Sequence, residues 1–288
     1  MSLSVQTSHP LVSDGVDFSS IEDAVLYLIH RKAYEHAARE FTGLSVLDWG
    51  CNAGYGLAIL QGTAGLLAGL DASKLAVSEA RYRLPALADS IRLYEGGTPP
   101  FERSCVDVVT SFQVIEHVSN YHEYFSGIAH VLKPPGCVMF TTPNRQLRLL
   151  PGMQPWNPYH VTEFSARGLE DLLRRYYKTV RIFGLRGDAE FEAIETARCM
   201  RALNAACRKR TRLMRFKSLA RKFLRLALPA AAVARVRRLQ INPPSDVERR
   251  MLASFSTAQL QYVEDGLEHA LDLMAICSDP LDLSVVSS

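Results

Sequence analysis

Val46-Leu47-Asp48-Trp49-Gly50-Cys51-Asn52-Ala53-Gly54-Tyr55-Gly56 is the stretch on which the fold turns. It opens with a compact apolar run of strand length, residues 44–49, and passes through glycines into a helical pattern over 54–62. Glycines at such a junction let the backbone turn sharply and come close to a ligand. A second apolar run, residues 65–70, ends at Asp71. A carboxylate at that strand end can accept both hydroxyl protons of a ribose.

Working outward, residues 20–40 read as a helix with Ser20 as N-cap and Asp23 three positions on. Residues 75–83 are helical, and residues 91–94 and the Val-rich 106–112 read as strands. Residues 120–132 form an amphipathic helix with Tyr124, Ile128 and Val131 on one face, stopped by Lys133-Pro134-Pro135-Gly136. A fifth strand covers 137–142 and a long loop covers 143–161. Ser165 caps a helix that turns Leu169, Leu172, Leu173 and Tyr176 inward, and 179–185 is a sixth strand. Residues 190–270 read as helices without strands. Residues 271–277 (LDLMAIC) then read either as the last strand of the same sheet or as the end of a helix begun near Thr257, and we take the strand.

This alternation predicts an α/β fold: a Rossmann-like, doubly wound, seven-stranded and mostly parallel sheet with an inserted basic helical subdomain. The expected divisions are a polar leader at 1–19, a core at 20–189, the basic helical insertion at 190–270, and the last strand with a tail at 271–288.

The 288 residues are 48% hydrophobic and 22% charged, which excludes a largely disordered or fibrous chain. No apolar stretch reaches the ~20 unbroken residues that a bilayer span needs. The polar N-terminus gives no secretory signal, and the six scattered cysteines form no C-x-x-C pair. A reducing, cytoplasmic setting is expected. The net charge of +3 hides an asymmetry: residues 198–238 hold 14 Lys and Arg with no Asp or Glu. Such a block marks either a solvated helical face or an anionic partner.

Taken with Asp71, the run Asp48-x-Gly50-x-Asn52-x-Gly54 resembles the first motif of the class I S-adenosylmethionine-dependent methyltransferases, [DE]-x-G-x-G-x-G. Asn52 replaces the middle glycine, and Asn also tolerates a left-handed backbone. Cys105-Val106-Asp107-Val108-Val109, Val114-Ile115-Glu116-His117-Val118 and Val131-Leu132-Lys133-Pro134-Pro135-Gly136 are similar to further family signatures and come in the right order. The resemblance covers residues 20–187. It implies S-adenosyl-L-methionine as cofactor, with Asp48, Gly50, Asn52, Gly54, Asp71, Ala72, Gly97 and Gln113 around it. Asp48 would face the ammonium of the methionine moiety. The usual Gly-Asp-Ala after the third strand is Glu95-Gly96-Gly97-Thr98 here, which leaves the adenine contacts to backbone groups. A dehydrogenase fold would instead show G-x-G-x-x-G, and Asp48 would sit poorly beside its pyrophosphate.

A hydroxyl acceptor needs its proton removed by a base or acidified by a metal. Gln113, Glu116 and His117 with His160 downstream resemble the Glu-x-x-Glu-His plus His metal site of small-RNA 3′-terminal 2′-O-methyltransferases. Ubiquinone-pathway O-methyltransferases have a related site. Gln113 stands where the first Glu belongs, and a neutral amide is a poorer ligand for a divalent cation. The resemblance therefore implies Glu116, His117 and His160 as catalytic candidates, and as metal ligands together with Gln113. Trp156-Asn157-Pro158-Tyr159 reads as a cover over the acceptor pocket, and the family resemblance implies Tyr27, Arg31 and Tyr34 as residues closing over the cofactor.

Residues 208–228 project as an apolar face, with Leu213, Phe216, Leu219 and Phe223, against Arg215, Arg221, Lys222 and Arg225. That pattern suits a peripheral helix on an anionic membrane, a lid over a lipid- or glycan-linked acceptor, or ordinary packing on the core. Nucleic acid fits less well, because no aromatic platform is interleaved with the charges. The expected activity is O-methylation of a small molecule such as a sugar, glycolipid or secondary metabolite. The alternatives are an RNA ribose 2′-O-methyltransferase and a non-catalytic membrane- or partner-binding module.

Overall fold

The computed structural model describes residues 20–220 and 255–281. In chain order the elements are α1 (Ile21–Glu40), β1 (Ser45–Trp49), α2 (Tyr55–Leu60), β2 (Leu66–Asp71), α3 (Lys74–Arg83), β3 (Ile91–Leu93), β4 (Val106–Phe112), α4 (Tyr121–Val131) and β5 (Leu132–Pro143). Then follow α5 (Arg145–Arg148), α6 (Ala166–Leu173), β6 (Tyr177–Gly187), α7 (Ala189–Ala220), β7 (Leu260–Val263) and β8 (Asp272–Pro280).

The strands form one sheet in the order β3-β2-β1-β4-β5-β8-β6-β7. Neighbours from β3 to β5 pair in parallel, while β8 runs antiparallel between β5 and β6. Neighbouring residues of each central strand enter opposite layers, as the two-residue strand period requires. Leu47, Val109, Phe140 and Ala275 pack with α4 and α6, where Phe125, Ile128 and Leu169 are buried. Val46, Val108, Met139 and Met274 pack with Tyr34, Ala37 and Leu60 of α1 and α2. This two-sided burial is why the strands read as apolar runs in the sequence.

Three expectations are corrected. The sheet has eight strands instead of seven, because β7 pairs antiparallel with β6 inside the span read as wholly helical. Its four residues, Leu-Gln-Tyr-Val, form an edge strand too short for a period to register. β5 begins at Leu132, so Lys133–Gly136 lies within the strand and does not merely precede it. A register irregularity between Val106 and Val108 on β4 accommodates those residues. The loop after β5 opens with the short helix α5, capped by Asn144. As read from the sequence, the 271–277 run forms a strand, from Asp272 onward, and does not end a helix.

α7 carries the basic segment as far as Ala220. Two of its cations already have acidic partners, Arg198 with Glu195 and Arg201 with Glu22. The span 208–228, on which the membrane and lid readings rest, is helical as far as Ala220, and residues 221–238 lie outside the described residues, as do residues 1–19 and 282–288. Among the described residues no helix is long and apolar enough to cross a membrane.

The packing of α4 on the sheet leaves a small gap at Gly127, where a Cβ would stand 2.8 Å from Trp49 Cη2 and 3.3 Å from the Tyr94 hydroxyl. In an exposed helix, Gly→Ala gains up to about 1 kcal/mol. Here Gly127→Ala is expected to lose about 1–3 kcal/mol, since the buried indole cannot retreat. Urea unfolding checks the sign, and a stabilised variant would refute the packing argument.

Candidate active site

A cavity of about 400 Å³ opens beyond the carboxyl ends of β1, β2 and β4, where the strand order reverses. Open α/β sheets bind their ligands at this place. α1, the loop after α5 and the first turns of α7 close the cavity from outside.

One half is built largely from backbone. Gly50 has φ +91, and a Cβ there would lie 2.4 Å from Val114 Cγ2, so only glycine fits. The N–H groups of Gly50 and Cys51 donate to the Leu70 carbonyl at 2.8 and 3.0 Å, which ties the turn to β2. Asn52 adopts the left-handed region, φ 47, as its position in the motif requires. Asp71 Oδ2 accepts from the Asn52 N–H at 2.9 Å and Oδ1 from the Ser73 N–H at 2.8 Å. The carboxylate is therefore aimed before any ligand arrives. Burial raises its pKa while these N–H groups oppose the shift.

Of the eight residues expected around the cofactor, Gly50, Asn52, Asp71, Ala72 and Gln113 line the cavity. Asp48, Gly54 and Gly97 do not. Gly54 caps α2. Gly97 donates its N–H to Glu123 Oε1 at 2.8 Å, and its carbonyl accepts from the Tyr94 hydroxyl, so it supports the wall from behind. Asp48 is fully buried beneath the floor. Its two oxygens accept from the Tyr34 hydroxyl at 3.0 Å and the Thr110 hydroxyl at 2.8 Å.

The α1 expectation shifts by one face. Tyr34 lines the cavity, but its companions are Leu26, Ile29 and His30 in place of Tyr27 and Arg31. Arg31 instead donates to Glu35 at 2.7 Å.

The other half is built from side chains. Glu116, His117 and His160 converge, each offering a donor atom within 4.8 Å of the other two. The imidazole planes stand at 90° with centroids 4.8 Å apart. His117 Nδ1 lies 2.8 Å from the Tyr159 carbonyl, and His160 Nδ1 lies 2.9 Å from Glu163 Oε1. Both neighbours only accept, so each Nδ1 carries a proton, and in its neutral form each ring presents its lone pair on Nε2. Burial pushes the Glu116 carboxyl up to about 7, against the pull of His160 and of the Thr142 hydroxyl, which donates to it at 3.0 Å. Burial lowers the His117 pKa, against its bond to Tyr159.

Gln113 stands apart in its bonding. Its amide donates to Asp272 Oδ2 at 2.9 Å and to Thr141 Oγ1 at 3.2 Å, and it takes φ 57 to do so. Two imidazoles and a carboxylate, each His oriented by a carbonyl or a carboxylate, form a donor set that suits a divalent cation. The fitting set is thus Glu116, His117 and His160.

Sequence reasoning missed His30, Arg148, Glu195, Arg198 and Asp272, all of which line the cavity. Burial, followed by the charges of Arg198 and Arg148, drives the His30 pKa down to about 3, so this ring is neutral. The only signal in the sequence was the four-residue spacing of Leu26, His30 and Tyr34 along one helix face.

Asp48 gives a test of the floor. Burial raises its pKa from 3.8 to about 7, with the Thr110 and Tyr34 bonds opposing. Between those pH values the native chain holds a proton that the unfolded chain has released, so stability falls as pH rises through that window. The loss has an upper bound of about 4 kcal/mol. Asp48→Asn is expected to flatten the fall in urea unfolding free energy between pH 4 and pH 7, and an unchanged slope would contradict it.

Residues 22–176 match the family model described as Methyltransferase domain. A probable S-adenosylmethionine-dependent methyltransferase of Mycolicibacterium smegmatis is 32% identical over 189 residues, covering 64% of this chain and 72% of that one. A probable S-adenosylmethionine-dependent methyltransferase of Mycobacterium tuberculosis is 34% identical over 145 residues, covering 50% of this chain and 52% of that one. A ubiquinone biosynthesis O-methyltransferase of a Chelativorans species is 30% identical over 149 residues, covering 50% and 56%. The chain thus spans little more than half the length of the last two. The family match covers more than half of the chain, and the chain belongs to the class I S-adenosylmethionine-dependent methyltransferases.

Proposed function

We propose that this methyltransferase methylates a hydroxyl oxygen of a small molecule seated against Glu116, His117 and His160. The observation that carries the reading is the pair of imidazoles whose Nδ1 atoms are both committed, which leaves two Nε2 lone pairs beside a buried carboxyl. The relatives named for ubiquinone biosynthesis as O-methyltransferases support oxygen as the acceptor atom.

S-adenosylmethionine supplies an electrophilic methyl group on a sulfonium. Asp71, Ala72 and the Gly50 turn hold its nucleoside end, and Gln113 stands at the border with the acceptor half. The chain's own work is to place the acceptor oxygen in line with that methyl group and to keep water out, which can supply several kcal/mol. His160 takes the acceptor proton on Nε2, and Glu163 stabilises the imidazolium that results. Burial lowers the His117 pKa, and its Nε2 lone pair stands close to that of His160 as a second acceptor in the same half. A divalent cation held by Glu116, His117 and His160 would acidify the hydroxyl directly, and the donor set fits that use as well.

Two experiments test this. Asp71→Ala is expected to weaken S-adenosylhomocysteine binding at least about tenfold by calorimetry, since it removes the partner of two ribose hydroxyls. Unchanged affinity would overturn the assignment of that half. His160→Ala is expected to lower kcat about 10²–10⁴-fold with a panel of catechols and sugars while leaving S-adenosylhomocysteine affinity intact. Transfer to amines alone, or a variant as fast as the parent, would overturn the oxygen reading. Chelation followed by Zn²⁺ or Mg²⁺ addition separates the two routes, because the histidine-base route ignores both treatments.

A further inference from the structure

The acceptor half contains a cation that neither the methyl-donor site nor the histidine pair uses. Arg148 ends α5, is 6% exposed and lines the cavity. Its guanidinium lies over the Trp156 ring, 4.3 Å from the centroid. Its Nε donates to Glu163 Oε1 at 3.1 Å. Among the described residues, that is the single hydrogen bond made by its side chain, so both Nη groups lack a protein partner. A buried guanidinium with an open end is costly unless a ligand completes it.

Arg198, the other guanidinium of this wall, differs. It turns a fork onto Glu195, with Nε 2.6 Å from Oε2 and Nη2 2.5 Å from Oε1. A carboxylate already occupies the position that an incoming anion would take. Arg148 meets its carboxylate, Glu163, through Nε alone, and among the described residues no carboxylate sits on its Nη pair. Trp156 and Glu163 hold it at two points, so little side-chain freedom would be lost on binding. His30 on the facing helix is neutral and can add a hydrogen bond without competing for charge.

The distance to the reacting group follows from Glu163. Its Oε1 accepts from His160 Nδ1 at 2.9 Å and from Arg148 Nε at 3.1 Å, so one carboxylate oxygen holds both the proposed base and the cation. A hydroxyl at His160 and an anion at Arg148 therefore belong to one compact molecule.

We propose that the acceptor is a hydroxylated small molecule with an oxyanion, a carboxylate or a phosphate monoester, and that the open end of Arg148 receives it in bidentate fashion. The inference rests on the preceding reading for the side of the cavity the acceptor occupies. Phe112, Trp156 and other apolar walls would enclose the carbon skeleton between the two groups.

The test is calorimetric titration of the S-adenosylhomocysteine-saturated protein with 4-hydroxybenzoate, phenyl phosphate and phenol. One of the two oxyanions is expected to bind at least about tenfold tighter than phenol, and which one does so distinguishes carboxylate from phosphate. Arg148→Met should abolish that preference while leaving S-adenosylhomocysteine affinity within about twofold, which also reports that the variant is folded. If removing the partner of Glu163 prevents folding, Arg148→Lys takes its place. It keeps the charge, loses the fork, and should weaken the oxyanion about threefold or more. Equal binding of phenol and both oxyanions, no saturable oxyanion binding, or undiminished binding in the variants would overturn the proposal. The readout needs no turnover, so a failed O-methylation assay and a failed oxyanion titration are separate results.

Discussion

A single buried carboxyl holds the base of the cavity together. Asp48 sits in the middle of the sheet and takes one hydroxyl from α1 and one from β4, so the first helix, the first strand and the fourth strand share a group that cannot be solvated. Tyr34 can reach it only because Gly56 has no side chain. A Cβ on Gly56 would fall 2.1 Å from the tyrosine ring carbon that bears the hydroxyl. The helix that closes the cavity is thereby pinned under the glycine turn that opens it. Leu26, His30 and Tyr34 then take their places along one face as a matter of helical geometry.

The two halves above that floor are made differently. The donor half depends on backbone N–H groups and on one strand-end carboxylate, all drawn from residues 50–73. The acceptor half is assembled from distant parts of the chain. Gln113 on the β4 side reaches Asp272 at the start of β8, and Asn144 bonds the carbonyls of Leu267 and Ala270. Its charges are buried and mutually dependent: burial keeps the Asp272 pKa well above the carboxylate range, whereas His160 and Arg148 overcome burial to hold Glu163 below it. Local contacts can preserve the first half under many substitutions. The second half can change acceptor by changing a few side chains, as expected of a fold that hosts many substrates.

This division explains what the sequence could show. The glycine turn and the central strands β1, β4 and β5 were legible because strands buried on both faces write continuous apolar runs, and because the turn needs glycine for steric reasons. Glu116, His117 and His160 were legible as types in a spacing, and they converge. Asp48 was assigned to the ligand because its position at a strand end looks the same whether its oxygens face a cavity or a tyrosine. Arg148 was illegible. A buried arginine and a solvated one are identical letters, and only the approach of Glu163 and Trp156 separates them. β7 escaped notice because four residues on a sheet edge, with Leu260 alone fully buried, carry no period.

The position of β8 bears on the order in which the molecule can assemble. Among the described residues β6 pairs only with β7 and β8, and both lie more than seventy residues further along the chain. As the polypeptide emerges from the ribosome, β1 to β5 can join and shape the donor half while β6 has no strand to pair with. Asp272 and Leu271, which complete the acceptor wall, arrive after the whole of α7. A nascent chain would thus gain the means to grip its nucleoside ligand well before it could admit a molecule to be methylated.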